Sequence, residues 1–210
     1  MSLHEYLQKH FIDKPSFASL AGISEDRLDQ LIDARAVPSA TYICDGTSVR
    51  SAVFGTTPIH EQLEGEYFRP ECARWVRIAA DATKGSEREA VFAVLINELR
   101  SALKAYLNSS ADIEEKIQGF LPHFSNGTFG LCVADPSSGA CIVRKEMLQE
   151  KLTELTENGS NPCPVGICHG DLLELIDDYA RSSMHFSPAE YERSSRKRLV
   201  DGLRAMVAKA

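Results

Sequence analysis

Apolar side chains at Leu3, Tyr6, Leu7 and Phe11 recur at the spacing of one helix face and predict a helix over 3–11. Asp13 followed by Pro15 reads as the start of a second helix, with Phe17, Leu20 and Ala21 on its apolar face. Gly22 closes that helix, because glycine accepts the left-handed conformation of a tight turn. Ser24 then caps a third helix that turns Leu28, Leu31 and Ile32 inward. Small Ala18, turning Gly22 and plugging Ile23, Leu28 and Leu31 stand in the register of a helix-turn-helix.

Beyond Val37-Pro38 the period changes. Thr41–Cys44 and Val49–Phe54 flank Asp45-Gly46, a hairpin turn signal placed where a wing would follow a helix-turn-helix. Residues 55–65 read as an irregular linker. Cys72, Trp75, Val76 and Ala79 share a helix face. Ser86 with Glu89 reads as a capping box opening a long helix to Leu107, apolar on most sides between Ala90 and Ile96 and hence central to the core. Further helices are expected over 111–121, 142–156 and 171–182, with a short strand over 128–133 and loops at 135–139 and 157–170. Ser187-Pro188-Ala189-Glu190 combines an N-cap, a first-turn Pro and a capping-box Glu, and predicts a last helix to Val207 with Tyr191, Leu199, Leu203 and Met206 inward.

The pattern thus predicts a mainly α protein. Residues 1–56 form a helix-turn-helix with a short β-hairpin, MerR-like or winged, and residues 66–210 an α-helical domain.

Charge changes how the first module is read. The chain carries a net charge of -7. Residues 1–42 hold four bases against six acids, while residues 181–210 hold seven against three. Helix 24–35, the element that would enter a DNA groove, carries Glu25, Asp26, Asp29 and Asp33 against Arg27 and Arg35. Acids there suit the helix dipole but repel phosphate. Arg27, Gln30 and Arg35 are the side chains a DNA-binding regulator would use, yet they are too few to neutralise a phosphate track, so nucleic acid is not the expected partner. The longest apolar run, Ala90–Ile96, has seven residues, against the about 20 of a membrane span. With no basic, apolar leader in Met1–Glu5, a cytoplasmic location is expected, and the six cysteines read as free thiols.

Several constellations could carry chemistry. Cys132 with His123 or His185 is a nucleophile-and-base arrangement in principle, against a buried thiol as the plainer reading. Cys163, Cys168 and His169 offer soft ligands on one loop, with a wider gap than paired zinc cysteines prefer, which keeps a small metal- or thiol-dependent enzyme as an alternative. Lys145 is expected to be solvated beside Gln149 or Glu150. Ser194, Ser195, Arg196 and Arg198 form the most basic run and suit a small anion or a protein partner. No cofactor is called for.

The helix-turn-helix together with Tyr67-Phe68-Arg69-Pro70, Trp75, His123 through Cys132, Lys145-Glu146, Phe186-Ser187-Pro188 and Ser194-Ser195-Arg196 resembles an uncharacterised bacterial family labelled as natural-product-biosynthesis proteins, over nearly the whole chain. The resemblance implies a place in specialised metabolism, as an accessory or biosynthetic protein whose helix-turn-helix no longer binds DNA. It carries over no active site. The candidate site gathers His123, Asn126, Thr128, Cys132 and His185 with Arg196. Where Asn126 stands the resemblance leads us to expect Asp, and an amide cannot serve there as acid or base.

Overall fold

The computed structural model describes residues 1–209. The N-terminal helices lie where the pattern places them. Helix α1 (Leu3–His10) opens on a capping box, Ser2 accepting from the Glu5 amide at 3.1 Å and donating its own amide to Glu5 at 2.8 Å. Helix α2 (Lys14–Ala21) is capped by Asp13, and α3 (Glu25–Asp33) by Ser24, with left-handed Gly22 between them. Leu20, expected inward, is 44 % exposed, because the core side of α2 is filled by Phe17, Ala18 and Ala21.

The fold is α+β, not mainly α with a lone hairpin. Strands β1 (Ile12–Asp13), β2 (Tyr42–Asp45), β3 (Ser48–Ser51), β4 (Gly55–Pro58) and β5 (Glu64–Phe68) form one antiparallel sheet in the order β1-β5-β2-β3-β4. The hairpin at Asp45-Gly46 is its β2–β3 pair, held by Asp45, whose carboxylate accepts from the Thr47 and Ser48 amides at 2.9 and 2.7 Å. The expected linker at 55–65 is instead β4 and the start of β5. These strands escape the pattern because Gly-Thr-Thr-Pro buries almost nothing and Glu-Gly-Glu-Tyr-Phe buries only Phe68: the ladder, not an alternating apolar face, defines them. The sheet therefore runs across the expected boundary between the two modules.

Around the sheet stand α4 (Ala73–Ala80), α5 (Glu87–Leu103), α6 (Ser110–Ser125), α7 (Thr128–Cys132), α8 (Gly139–Leu155) and α9 (His169–Ser182). Val91, Leu95, Leu99 and Leu103 of α5 are fully buried, and the helix packs against α4, α6 and α8 as the central element of the main core. Ser86 does not cap α5 through its side chain; Glu87 takes the Gly85 amide at 2.7 Å instead, and the helix stops at Leu103. One apolar cluster runs from Leu3 to Phe186, and a second joins α8 and α9 to Leu199, Val200, Leu203 and Val207.

Two elements differ from expectation near the site. Residues 128–132 form helix α7, started by Asn126, whose side-chain oxygen accepts from the Thr128 amide at 3.1 Å and its hydroxyl at 2.7 Å. The last helix does not begin at Ser187. Residues 188–190 form a turn and Tyr191–Arg193 a 3-10 turn; the chain becomes helical only from Ser195, through a π-helical stretch (Lys197–Gly202) into α10 (Leu203–Val207). The reason is Glu190. It is buried, and its carboxylate accepts from Tyr42 at 2.7 Å, Ser51 at 2.6 Å and Ser187 at 2.9 Å. A helix from 188 would forgo these bonds to the sheet.

A β-carbon at Gly130 in α7 would collide with the Thr41 hydroxyl and approach the Arg69 stem to 3.3 Å, whereas one at Gly119 in α6 meets nothing within 4 Å. We expect Gly130→Ala to cost about 1–3 kcal/mol in urea unfolding, as overpacking does. Gly119→Ala should stabilise by up to about 1 kcal/mol through helix propensity. Equal effects at the two positions would contradict this packing.

Candidate functional site

A cleft of about 290 Å³ lies between the β3–β4 turn, α6, α7, α8 and the C-terminal segment. Short α7 directs Thr128, Phe129 and Cys132 towards it, and His123 on α6 stands at its edge. Lys145, Glu146 and Gln149 line the opposite side from one face of α8, as three- and four-residue spacings require. Phe54 and Phe186 close an apolar wall, their rings edge to face at 5.9 Å, with Arg193 stacked on Phe54 at 5.0 Å. Ser195 and Arg198 complete the rim.

Lys145 is the buried charge of this cleft. It is 3 % exposed and donates to Glu146 at 2.8 Å, not to a solvated partner four residues on; Glu150 pairs with Lys116 instead. Burial opposes its charge, but the neighbouring acidic groups outweigh it, and the ammonium titrates above the ordinary lysine range. Beside it, burial pushes the Cys132 thiol up, although Lys145 pulls the other way. At neutral pH the pair is therefore an ammonium and a thiol, with Glu146 as the counter-charge. The Tyr179 hydroxyl lies 3.0 Å from Gln149 Oε1 and 2.8 Å from Ser195 Oγ, and burial raises its pKa as well. This chain of bonds ties α9 and the C-terminal segment to α8.

Arg198 is exposed and has no side-chain partner among the described residues. Its stem lies against left-handed Gly159, where a β-carbon would approach Arg198 Cγ to 3.0 Å. Only glycine allows that approach without strain, so Gly159 lets the start of the C-terminal helical stretch pack closely on the loop after α8.

The candidate residues are thus divided. His123, Thr128, Cys132, Ser195 and Arg198 share this cleft, and Thr128 Oγ1 is already donated to Asn126. Asn126 itself faces another groove, beside Arg35 and Phe92. Ser194 is buried, its hydroxyl donating to the Tyr191 carbonyl at 2.7 Å and accepting from the Lys197 amide at 3.1 Å. His185 and Arg196 line a second cleft with His10 and Arg69. The basic run does not converge on one point, because its residues leave the chain on different sides. Lys145, expected to be solvated, is buried instead: its ion-pair partner is the adjacent Glu146, but Cys132 and Tyr179, which also lie near it, come from α7 and α9.

Elsewhere, Arg27 is bonded to Glu87 and reaches Gln30 at 3.2 Å, and Lys14 pairs with Asp29 at 2.6 Å. Glu25, Asp26, Gln30 and Asp33 make up the exposed side of α3. The cations near the C-terminus serve β4 and α9 instead: Arg193 donates to Thr57 at 2.7 Å, and Arg204 pairs with Asp177. Cys163 and Cys168 are exposed, Cys168 capping α9, and no group of three or more His, Cys, Asp or Glu in metal-binding geometry occurs among the described residues.

Burial orders the thiols. A chromogenic disulfide reagent should modify Cys163 and Cys168 first, with Cys132 slower by roughly tenfold or more. Mass mapping of partly labelled native protein reads this directly; early labelling of Cys132 would mean an open, activated thiol.

No helix among the described residues is long and apolar enough to cross a membrane. No curated protein and no solved structure matches the chain. A family match covers residues 80–208, which include α5 to α10 and most of the cleft but not the Phe54 wall. Over that stretch, more than half of its length, the chain belongs to DUF6058, a family of unknown function.

Proposed function

We propose that this chain is an accessory or biosynthetic protein of specialised metabolism that binds a small anion with an apolar body in the cleft between α7, α8 and the C-terminal segment. The place in specialised metabolism rests on the sequence resemblance. The binding reading rests chiefly on Arg198, a guanidinium without a partner among the described residues, held at the rim of a cleft whose wall is Phe54 and Phe186 and whose buried charge is the Lys145 ammonium.

The same geometry favours recognition over covalent chemistry. A nucleophilic lysine must lose its proton and a nucleophilic cysteine must be a thiolate. Here Glu146 holds the proton on Lys145 and burial holds it on Cys132. Lys145 and Arg198 can instead receive a carboxylate or phosphate, while the phenylalanines accept the apolar remainder.

Benzoate, phenyl phosphate and their aliphatic counterparts are suitable probes by calorimetry. We expect the aromatic anions to bind, and Arg198→Ala to weaken them about tenfold or more, the worth of one charge-assisted hydrogen bond. Arg100→Ala, which removes a surface pair with Glu114 on the far side of α6, should leave binding unchanged. No heat with any of these anions at millimolar concentration, or equal loss in both variants, would reject the reading.

A further inference from the structure

We propose that the second cleft, between α1, α9 and the C-terminal segment, binds a small tetrahedral oxyanion of the sulfate or phosphate class through Arg196, His10 and His185. This goes beyond the function proposed above and concerns a separate surface of about 670 Å³.

Arg196 carries the argument. Its Nη1 donates to the Ala180 carbonyl at 2.8 Å, the Ser183 carbonyl at 3.2 Å and the Ser183 hydroxyl at 3.1 Å. All three acceptors are neutral, so the guanidinium is fixed in place without being neutralised. Its Nε and Nη2 have no protein partner among the described residues, which leaves one edge of the fork to meet an oxyanion.

Most of the surrounding acids are already committed to cations. Glu71 pairs with Arg69 at 3.0 Å, Asp178 with Arg181, and Asp177 with Arg204, while Asp201 accepts from the Tyr191 hydroxyl at 2.7 Å. Arg69 also gives Nη1 to the carbonyls of Gly130 and Val133 and Nη2 to that of Ala134. The excess positive charge rests on Arg196 and on Lys9 at the end of α1.

Two imidazoles complete the cleft. His10 and His185 lie nearly parallel, with centroids 6.4 Å apart and planes 22° from each other. Burial, Lys9, Arg69 and His185 act against the charged form of His10, with only Glu71 in favour. Burial, Arg196 and Lys9 act likewise on His185, with Asp201 in favour. Both therefore titrate below the ordinary histidine value and are neutral in the empty cleft at pH 7. A bound oxyanion reverses the balance: it favours the imidazolium, so it binds with proton uptake, and affinity rises as pH falls from the raised pKa of the occupied cleft to the lowered pKa of the empty one. Each unit by which the anion raises an imidazole pKa is worth about tenfold in affinity at low pH.

Sulfate is the cleanest probe, because its own charge is constant over this range. Calorimetric titrations at pH 8 and pH 5.5, with imidazole NMR signals also followed in the native chain and chloride at matched ionic strength as reference, should show sulfate binding about tenfold tighter at the lower pH. Arg196→Gln should weaken binding at both values. His10→Gln with His185→Gln should retain the pH 8 affinity and lose the gain on acidification; this double variant carries the test if loss of the Arg196 braces unfolds the chain. Imidazole signals that respond to sulfate no more than to chloride would overturn the proposal, as would an unchanged pH gain in the double variant. Capture by phosphatidylglycerol vesicles without any response to free sulfate would assign these cations to a lipid surface and overturn it equally.

Discussion

A single buried carboxylate fixes where the C-terminal segment of this molecule lies. Glu190 accepts three hydroxyl hydrogen bonds, from Tyr42 of β2, Ser51 of β3 and Ser187 of its own turn. A carboxylate out of water must have such partners, and removing them strands both the acid and the hydroxyls. The bonds clamp the C-terminal segment across the sheet. His185 and Phe186 lie just before the clamp, and Arg193, Ser195, Arg196 and Arg198 just after it. Both clefts take a wall from this one stretch, so the clamp fixes the distance between each cation and its opposing surface.

From the clamp the chain passes through a π-helical stretch (Lys197–Gly202), with Arg196 and Arg198 at its start facing different clefts. Wide helical turns of this kind often accompany functional sites. Here the outcome is visible in charge. The protein has more acids than bases, and many of its cations are matched: Lys14, Arg27, Arg74, Arg100 and Lys116 each have a carboxylate. Arg196 is held by neutral carbonyls and Arg198 by no polar group among the described residues, so each keeps its charge for something outside the chain.

The sequence made the helices legible where an apolar stripe coincides with a cap, as in α2 and α3, and by the stripe alone in α1 and α5. It hid the sheet, because β4 buries almost nothing and β5 buries only Phe68 at its end, so neither shows an alternating apolar face. Ser187-Pro188-Ala189-Glu190 has the spacing of a capping box, and Ser187 does meet Glu190. The carboxylate, however, turns to Tyr42 and Ser51, more than a hundred residues earlier, and that long-range competition leaves no local trace. The burial of Lys145 likewise comes from tertiary packing and not from its neighbours in sequence. His123, Thr128, Cys132, Ser195 and Arg198 were legible as candidates but not as neighbours, and His185 and Arg196 proved to belong to another surface.

Hydrogen exchange of the Glu190→Ala variant, compared with the native chain by mass spectrometry, tests the clamp most directly. The account requires amides across 185–198 to exchange at least about tenfold faster, since losing even one such bond is worth that much, while α5 and α6 keep their protection. Unchanged protection of 185–198, or uniform loosening of the whole molecule, would show that something other than Glu190 holds the two clefts in place.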